Sequence, residues 1–388
     1  MKTADDCERT IIDVVEEFDY STQNESYNKD FRKWRKNKNN PYTFNFSVNK
    51  KESIFIDGKG FVSDSPAESE RETISRIFFI IGTAMLLWVT IDNIIGKMII
   101  YFLDIIGVNI HTTFFSTSCY GGSIEIVTVL IVIPLIKICT PSLYIHKRLA
   151  MPRKVEFMST MNHPSELISS IALSLAVCTV TNIPDAYSSS AKEIYSYFKS
   201  INTDISVWGQ EEYVIYTIFD VIIVSIVSEA FFRGAMFSAL RQFGDAFAIF
   251  VTSVTASLLT QDFREMPTVF LISVIASVGM LKSGSIFTAF AVSTVYKMYQ
   301  LSIVILEMNP SENMFLIRNL IMTGVFFVSS FTALFLHIYG KRRNKHHTLA
   351  EYHSDVSTKD RLILAFKSFP FGTVAIVCLI AGIIKIAY

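Results

Sequence analysis

From about residue 77 to residue 386 the chain is a succession of apolar runs, about nine of them of membrane-helix length. They centre on residues 77–95, 124–143, 166–183, 213–232, 245–259, 267–281, 285–306, 315–338 and 370–386. Residues 97–110 stand outside this count and read as a short interfacial or re-entrant helix. Hydrophobic residues make up 51% of the chain and charged ones 18%, and the charges gather between the runs. The expected fold is therefore all-α: a polytopic integral membrane helix bundle of about eight to nine transmembrane helices, with a short cytoplasmic N-terminal segment. Its first partner is the lipid bilayer, and its expected location is the cell membrane, as a multi-pass protein.

Four regions follow. Residues 1–76 form a polar N-terminal cytoplasmic segment, and with no apolar stretch there no cleavable signal peptide is expected. This segment holds a basic cluster, Arg32, Lys33, Trp34, Arg35, Lys36 and Lys38, which reads as a solvated cytoplasmic face or, less often, a headgroup-binding one. Residues 42–48 alternate, and residues 53–62 read as a small hairpin with Asp57-Gly58 at its turn. Residues 77–211 hold the first membrane helices, 212–306 a distinct membrane core, and 307–388 the last helices with a basic cytoplasmic loop.

Lysine and arginine set the orientation. Lys137, Lys147, Arg148, Arg153 and Lys154 border one loop, and Lys341, Arg342, Arg343, Lys345, Lys359, Arg361 and Lys367 another. Both loops are expected in the cytoplasm with the N-terminus. Loops 184–212 and 307–314 are poor in basic residues and are expected outside, as is the C-terminus.

The formal net charge is zero, so no global field recruits nucleic acid, and none is expected as a partner. Cys7, Cys119, Cys139, Cys178 and Cys378 show no paired spacing, hence no disulfide framework and no zinc ribbon. No Gly-rich phosphate cradle or Walker pattern is present. His346-His347 adjoins the basic loop and reads as solvated.

Within the fourth apolar run the chain reads V-S-E-A-F-F-R-G-A-M, placing Glu229 and Arg233 four apart on one helix face at membrane depth. An ionisable residue there is costly unless paired and points to a functional site. The plainer alternative is an i,i+4 ion pair that only seats the helix. Lys297 is a second such residue, mid-run between Tyr296 and Tyr299; it needs a partner or a lowered pKa. Ser293 lies at i−4 from it on the same face. A Ser/Lys dyad, with Ser228 across the bundle, is one reading; serines bonded to their own helix carbonyls are the other.

The run S-E-A-F-F-R-G resembles the signature of the CAAX-protease and bacteriocin-processing (CPBP, or Abi) family of intramembrane endopeptidases. That signature has two adjacent glutamates, three residues, then arginine, often with glycine after it. Glu229, Phe232, Arg233 and Gly234 match it, while Ser228 stands at the first glutamate, thought to activate a water. The family continues with F-x-x-x-H, a glycine turn resembling T-G-S-L, and H-x-x-x-N. The turn is matched by Lys282-Ser283-Gly284-Ser285-Ile286. The middle motif falls on Ala256 and Thr260, and the last on Ser293 and Lys297. The resemblance covers about residues 215–306 and implies the family's helical core.

Peptide hydrolysis needs a base or metal to make hydroxide and donors for the oxyanion. The resemblance implies that these roles fall at Ser228, Thr260, Ser293 and Lys297, all of them replaced, while Glu229 and Arg233 are retained as catalytic-motif matches. From Tyr213 to Leu306 there is no histidine; His111, His146, His163, His337, His346, His347 and His353 all lie elsewhere. No metal and no cofactor is expected. His337, near a helix end, has a route to lean in, although such a histidine more often caps a helix.

Three functions remain open at this point. The first is a divergent, non-catalytic relative that binds and modulates a membrane protein or peptide. The second is a working endopeptidase acting on lipid-anchored or leader peptides. The third is a small-solute transporter, for which Asp220, Glu229, Lys297 and Arg318 form a sparse polar path.

Overall fold

The computed structural model describes residues 25–35, 53–56, 60–63, 66–105, 131–182, 217–263, 265–307, 312–343 and 356–387. Cys7, Lys36, Lys38, the 42–48 stretch, Asp57-Gly58, His111, Cys119, the 184–212 loop, Lys345, His346, His347 and His353 lie outside the described residues.

The first element, α1 (Glu25–Arg35), carries Glu25 in its first turn and Arg32, Lys33 and Arg35 in its last, matching the helix dipole. Its apolar face repeats at Tyr27, Phe31 and Trp34, all buried. Tyr27 Oη donates to the Val155 carbonyl at 3.2 Å, and Trp34 Nε1 to the Leu149 carbonyl at 3.1 Å. The basic cluster is thus not all a solvated face: Arg35 is buried, because the helix that carries it docks on the bundle. Strands β1 (Ser53–Ile56) and β2 (Gly60–Ser63) form the expected hairpin, antiparallel, with Ser53 opposite Ser63 and Ile56 opposite Gly60.

The bundle is all helical. Helix α2 (Pro66–Thr90) runs through a π-helical turn, Ile91–Ile95, into α3 (Gly96–Ile105); the stretch expected as a short interfacial or re-entrant helix thus continues α2 as far as 105, with the membrane-length part ending at Ile99. Then come α4 (Ile133–Leu149), the short α5 (Arg153–Glu156) and α6 (Pro164–Asn182). After the motif segment, 217–243, follow α9 (Asp245–Leu258), α10 (Met266–Ser283), α11 (Phe287–Glu307) and α12 (Glu312–Arg343); the motif segment itself contains α7 (Ser225–Glu229) and α8 (Phe237–Leu240). The chain closes with α13 (Thr358–Lys367) and α14 (Phe369–Ala387).

The expected apolar runs fall on helices, the second in its latter part only, since 124–130 lie outside the described residues. Among the described residues, five helices are long and apolar enough to cross a membrane, against the eight to nine expected. The bent pair Thr358–Lys367 and Phe369–Ile384 makes a sixth if it is one span. The 81° bend between them has a local cause. Ser368 takes an extended ψ of 117°, and Pro370, which has no N–H, sits in the first turn of α14 where none is needed. The run at 245–258 gives a helix of only 14 residues.

Two close approaches hold the bundle. A Cβ on Gly82 would sit 2.7 Å from the Phe371 Cα, so α2 and α14 touch backbone to backbone. Phe78 meets Phe371 and Phe247 edge-on beside that contact, at 5.2 and 6.1 Å between centroids. Helix α12 packs chiefly on α6, and turns Leu320, Val328 and Phe331 outward, as a lipid-facing helix does.

At the end of the bundle that carries α1, Arg361 is buried. It donates to the Val356 and Phe243 carbonyls at 3.1 and 2.9 Å and pairs with the fully buried Glu70 at 3.3 Å. Helix α13, which carries it, therefore also grips the end of the motif helix.

Candidate functional site

The motif lies on a helix of mixed pitch. Residues Thr217–Val224 are π-helical, Ser225–Glu229 α-helical, Ala230–Met236 π-helical again, then come α8 and a 3₁₀ turn at Arg241–Phe243. π-Helical turns are rare and gather at functional sites. Phe231 and Phe232 anchor this segment on Trp88, at 5.4 and 5.7 Å between centroids. Gly234 lets the 156–157 loop close on the helix: a Cβ there would meet Phe157 Cε1 at 3.1 Å and Glu156 Cγ at 3.5 Å.

Glu229 and Arg233 are both buried and paired. Arg233 Nη1 donates to Glu229 Oε1 at 3.0 Å and lies 2.9 Å from Oε2. Arg233 Nη2 donates to both the carbonyl and the hydroxyl of Ser273 on α10, at 2.7 and 2.6 Å. The Ser273 carbonyl also accepts from Ser277 Oγ at 3.0 Å. From α11, the Ser293 side chain reaches the same Glu229 carboxylate. The carboxylate and guanidinium thus bind α7, α10 and α11 together. Charge-assisted contacts of this kind are what a buried ion pair needs to offset desolvation.

Other positions singled out from the sequence go elsewhere. Ser228 Oγ donates to the Ser225 carbonyl, 2.8 Å away in its own helix. Thr260 Oγ1 donates to the Ser257 carbonyl at 2.7 Å, closing the end of α9. Next to it, Gln261 has a positive φ of 53° and its Oε1 accepts from Asn93 Nδ2 at 2.9 Å. Lys297 Nζ lies 3.6 Å from Asp220 Oδ2, so its ion-pair partner is Asp220 rather than Glu229. His337 lies on the exposed face of α12 and does not lean into the core. Among the described residues, no group of three or more His, Cys, Asp or Glu is placed to hold a metal ion.

The glycine turn is a clasp. Gly284 takes a left-handed φ of 81° and its N–H caps α10 by donating to the Met280 carbonyl at 2.9 Å. Ser285 forms an antiparallel bridge with Ser159, Ile286 N donates to the Met158 carbonyl at 2.8 Å, and Asn162 N donates to the Ser283 carbonyl at 3.0 Å. The 158–163 loop therefore fixes where α11, with Ser293 and Lys297, leaves the turn.

Sequence reasoning missed Ser273 as the guanidinium's partner. Its one signal was the Ser273/Ser277 pair at helical spacing in an apolar run, which has many ordinary explanations.

Residues 210–298 match the family model described as Rce1-like, type II CAAX prenyl endopeptidase Rce1-like. That interval holds the paired glutamate and arginine, the glycine turn and the Ser293/Lys297 positions. No curated protein and no solved structure matches the chain.

Proposed function

We propose, from the premise that this membrane core belongs to the Rce1-like family, that the protein is a divergent member that binds a membrane protein or peptide and modulates it without cutting it. One observation carries the reading. The positions where the family's chemistry falls are engaged in internal contacts: Ser228 with its own helix, Thr260 with the end of α9, and Glu229 with Arg233. The match of residues 210–298 to a prenyl-endopeptidase-like model is what suggests an apolar or lipid-bearing peptide as the occupant.

A second reading rests on Ser293, which touches Glu229 and lies one turn from Lys297. In it the altered residues still hydrolyse a lipid-anchored or leader peptide. Transport has no comparable support, since Lys297 and Asp220 neutralise each other.

The test uses the purified full chain with farnesylated and leader-type peptides carrying a photo-crosslinker, with and without zinc and chelator. The expected result is crosslinking to residues of α7 and α11 with the peptides intact. Cleavage abolished by Glu229→Ala establishes an endopeptidase using that carboxylate. Cleavage abolished by Ser293→Ala and by Lys297→Ala establishes the dyad. Either result overturns the non-catalytic reading.

A further inference from the structure

Helix α1 does not merely dock; it completes a basic surface. Its buried side is Tyr27, Phe31 and Trp34, which leaves Lys29 and Lys33, one turn apart, exposed. The two carbonyls that seat it, those of Leu149 and Val155, are each preceded by exposed basic residues: Lys147 and Arg148 at the end of α4, and Arg153 and Lys154 in α5. Six cationic side chains from three elements thus border one seam. The nearest acids offer little neutralisation. Glu156 is buried against His146 at 2.9 Å, and of the two acids on α1, Asp30 is partly covered, leaving Glu25 exposed.

The surface also adjoins an apolar flank. Leu143 on α4 is 67% exposed. Lys147 and Arg148 follow four and five residues later, about 6–8 Å along the axis at 1.5 Å per residue. That step sets long cationic side chains just past an exposed apolar one, the order in which a side chain snorkels from hydrocarbon to headgroups. Arg148 also lies with its guanidinium carbon 5.6 Å from the centre of the Tyr144 ring, which steadies it over the interface.

We propose that the surface formed by α1, α5 and the end of α4 binds the anionic phospholipid headgroups of the adjoining leaflet, with Lys29, Lys33, Arg153 and Lys154 as its principal contacts. Charge complementarity and the adjoining apolar flank favour this occupant over a soluble anion. Clusters of this size next to a membrane helix attract acidic lipids, each cation contributing roughly fivefold in affinity at ordinary ionic strength.

The experiment is lipid retention by the full chain. Protein in neutral detergent is equilibrated with equal amounts of phosphatidylserine and phosphatidylcholine, and the lipids kept are counted by native mass spectrometry. The wild type is expected to keep phosphatidylserine preferentially. The variant Lys29→Gln/Lys33→Gln/Arg153→Gln/Lys154→Gln is expected to lose that preference by about tenfold or more. Lys359→Gln/Lys367→Gln, exposed basic residues of α13, is expected to keep it. If the fourfold variant does not fold, Lys147→Gln/Arg148→Gln replaces it, with a loss of about tenfold expected. Equal retention of both lipids by the wild type, unchanged preference in the seam variant, or an equal loss in the control variant overturns the proposal. Displacement of phosphatidylserine by inorganic phosphate at constant ionic strength also overturns it, making the surface a free-anion site.

Discussion

Lys297 Nζ lies 3.6 Å from Asp220 Oδ2, linking α11 to the π-helical start of the motif segment. The two side chains are 38% and 19% exposed. Among the described residues this pair is therefore separate from Glu229–Arg233, rather than part of one shared cluster.

That separation is measurable as coupling. A double-mutant cycle of Asp220→Asn and Lys297→Met should give an interaction energy of about 0.5–3 kcal/mol, as contacting residues do. The same cycle with Glu229→Gln and Lys297→Met should stay within about 0.5 kcal/mol. Detergent-solubilised thermal midpoints provide the readout. A large 229/297 coupling would mean that the lysine faces the motif carboxylate after all.

Stranding Arg233 should be expensive. Glu229→Gln is expected to cost about 3–5 kcal/mol, the scale for leaving one partner of a buried pair uncompensated. Ser273→Ala should cost only about 1 kcal/mol, because the Ser273 carbonyl still accepts from Nη2. Unfolding followed by helical signal in detergent checks the ranking. Equal losses from the two variants would refute the assigned roles.

Gly82 and Gly234 should differ in tolerance. Gly82→Ala drives a methyl into the Phe371 backbone and should destabilise by about 1–3 kcal/mol or more. At Gly234 the new methyl meets the Phe157 ring edge and the Glu156 side chain, which have room to shift, so about 1 kcal/mol or less is expected. A larger cost at Gly234 than at Gly82, by the same midpoints, would sink the comparison.

Glu156 lies in the connection before α6, outside the long membrane helices. Burial pushes its carboxyl up from its ordinary value of 4.5, with His146 and Arg153 pulling it down. For a folded pKa above the unfolded one, the stabilising contribution is present below about 4.5 and is lost as pH rises through the folded value. Glu156→Gln cannot ionise. Its stability relative to wild type should therefore rise as pH increases from about 4 to about 8. Parallel thermal-midpoint curves over that interval would refute the shift.

Much of this was legible in the residues. Apolar runs located the helices, because each must bury or expose an apolar flank in lipid. The Glu229–Arg233 spacing gave the ion pair, and Gly284 gave the turn, since a left-handed φ there favours glycine. The partner of Lys297 was not legible. Asp220 sits in a π-helical turn, where the chain advances with i→i+5 pairing and side chains rotate off the α-helical face. Nothing in spacing alone announces that change of pitch. Arg35 and Arg361 were also misplaced by their charge, which suggested solvent. Their burial depends on carbonyls and aromatic seats supplied by distant parts of the chain, such as the Phe243 carbonyl that Arg361 reaches.

The Val155 carbonyl accepts from Tyr27 Oη at 3.2 Å and from Ser238 Oγ at 3.3 Å. Donor and acceptor in the first of these bonds are 128 residues apart. During synthesis, Tyr27, Phe31 and Trp34 emerge long before the residues that cover them. At about 5–20 residues per second, the seat follows on the order of ten seconds later. Until then an amphipathic helix with three aromatic side chains stands uncovered beside a membrane into which the first spans are already entering. The same bond geometry means that α1 settles only after α4 and α5 are in place, so a helix made early waits for a seat made 115 to 128 residues later.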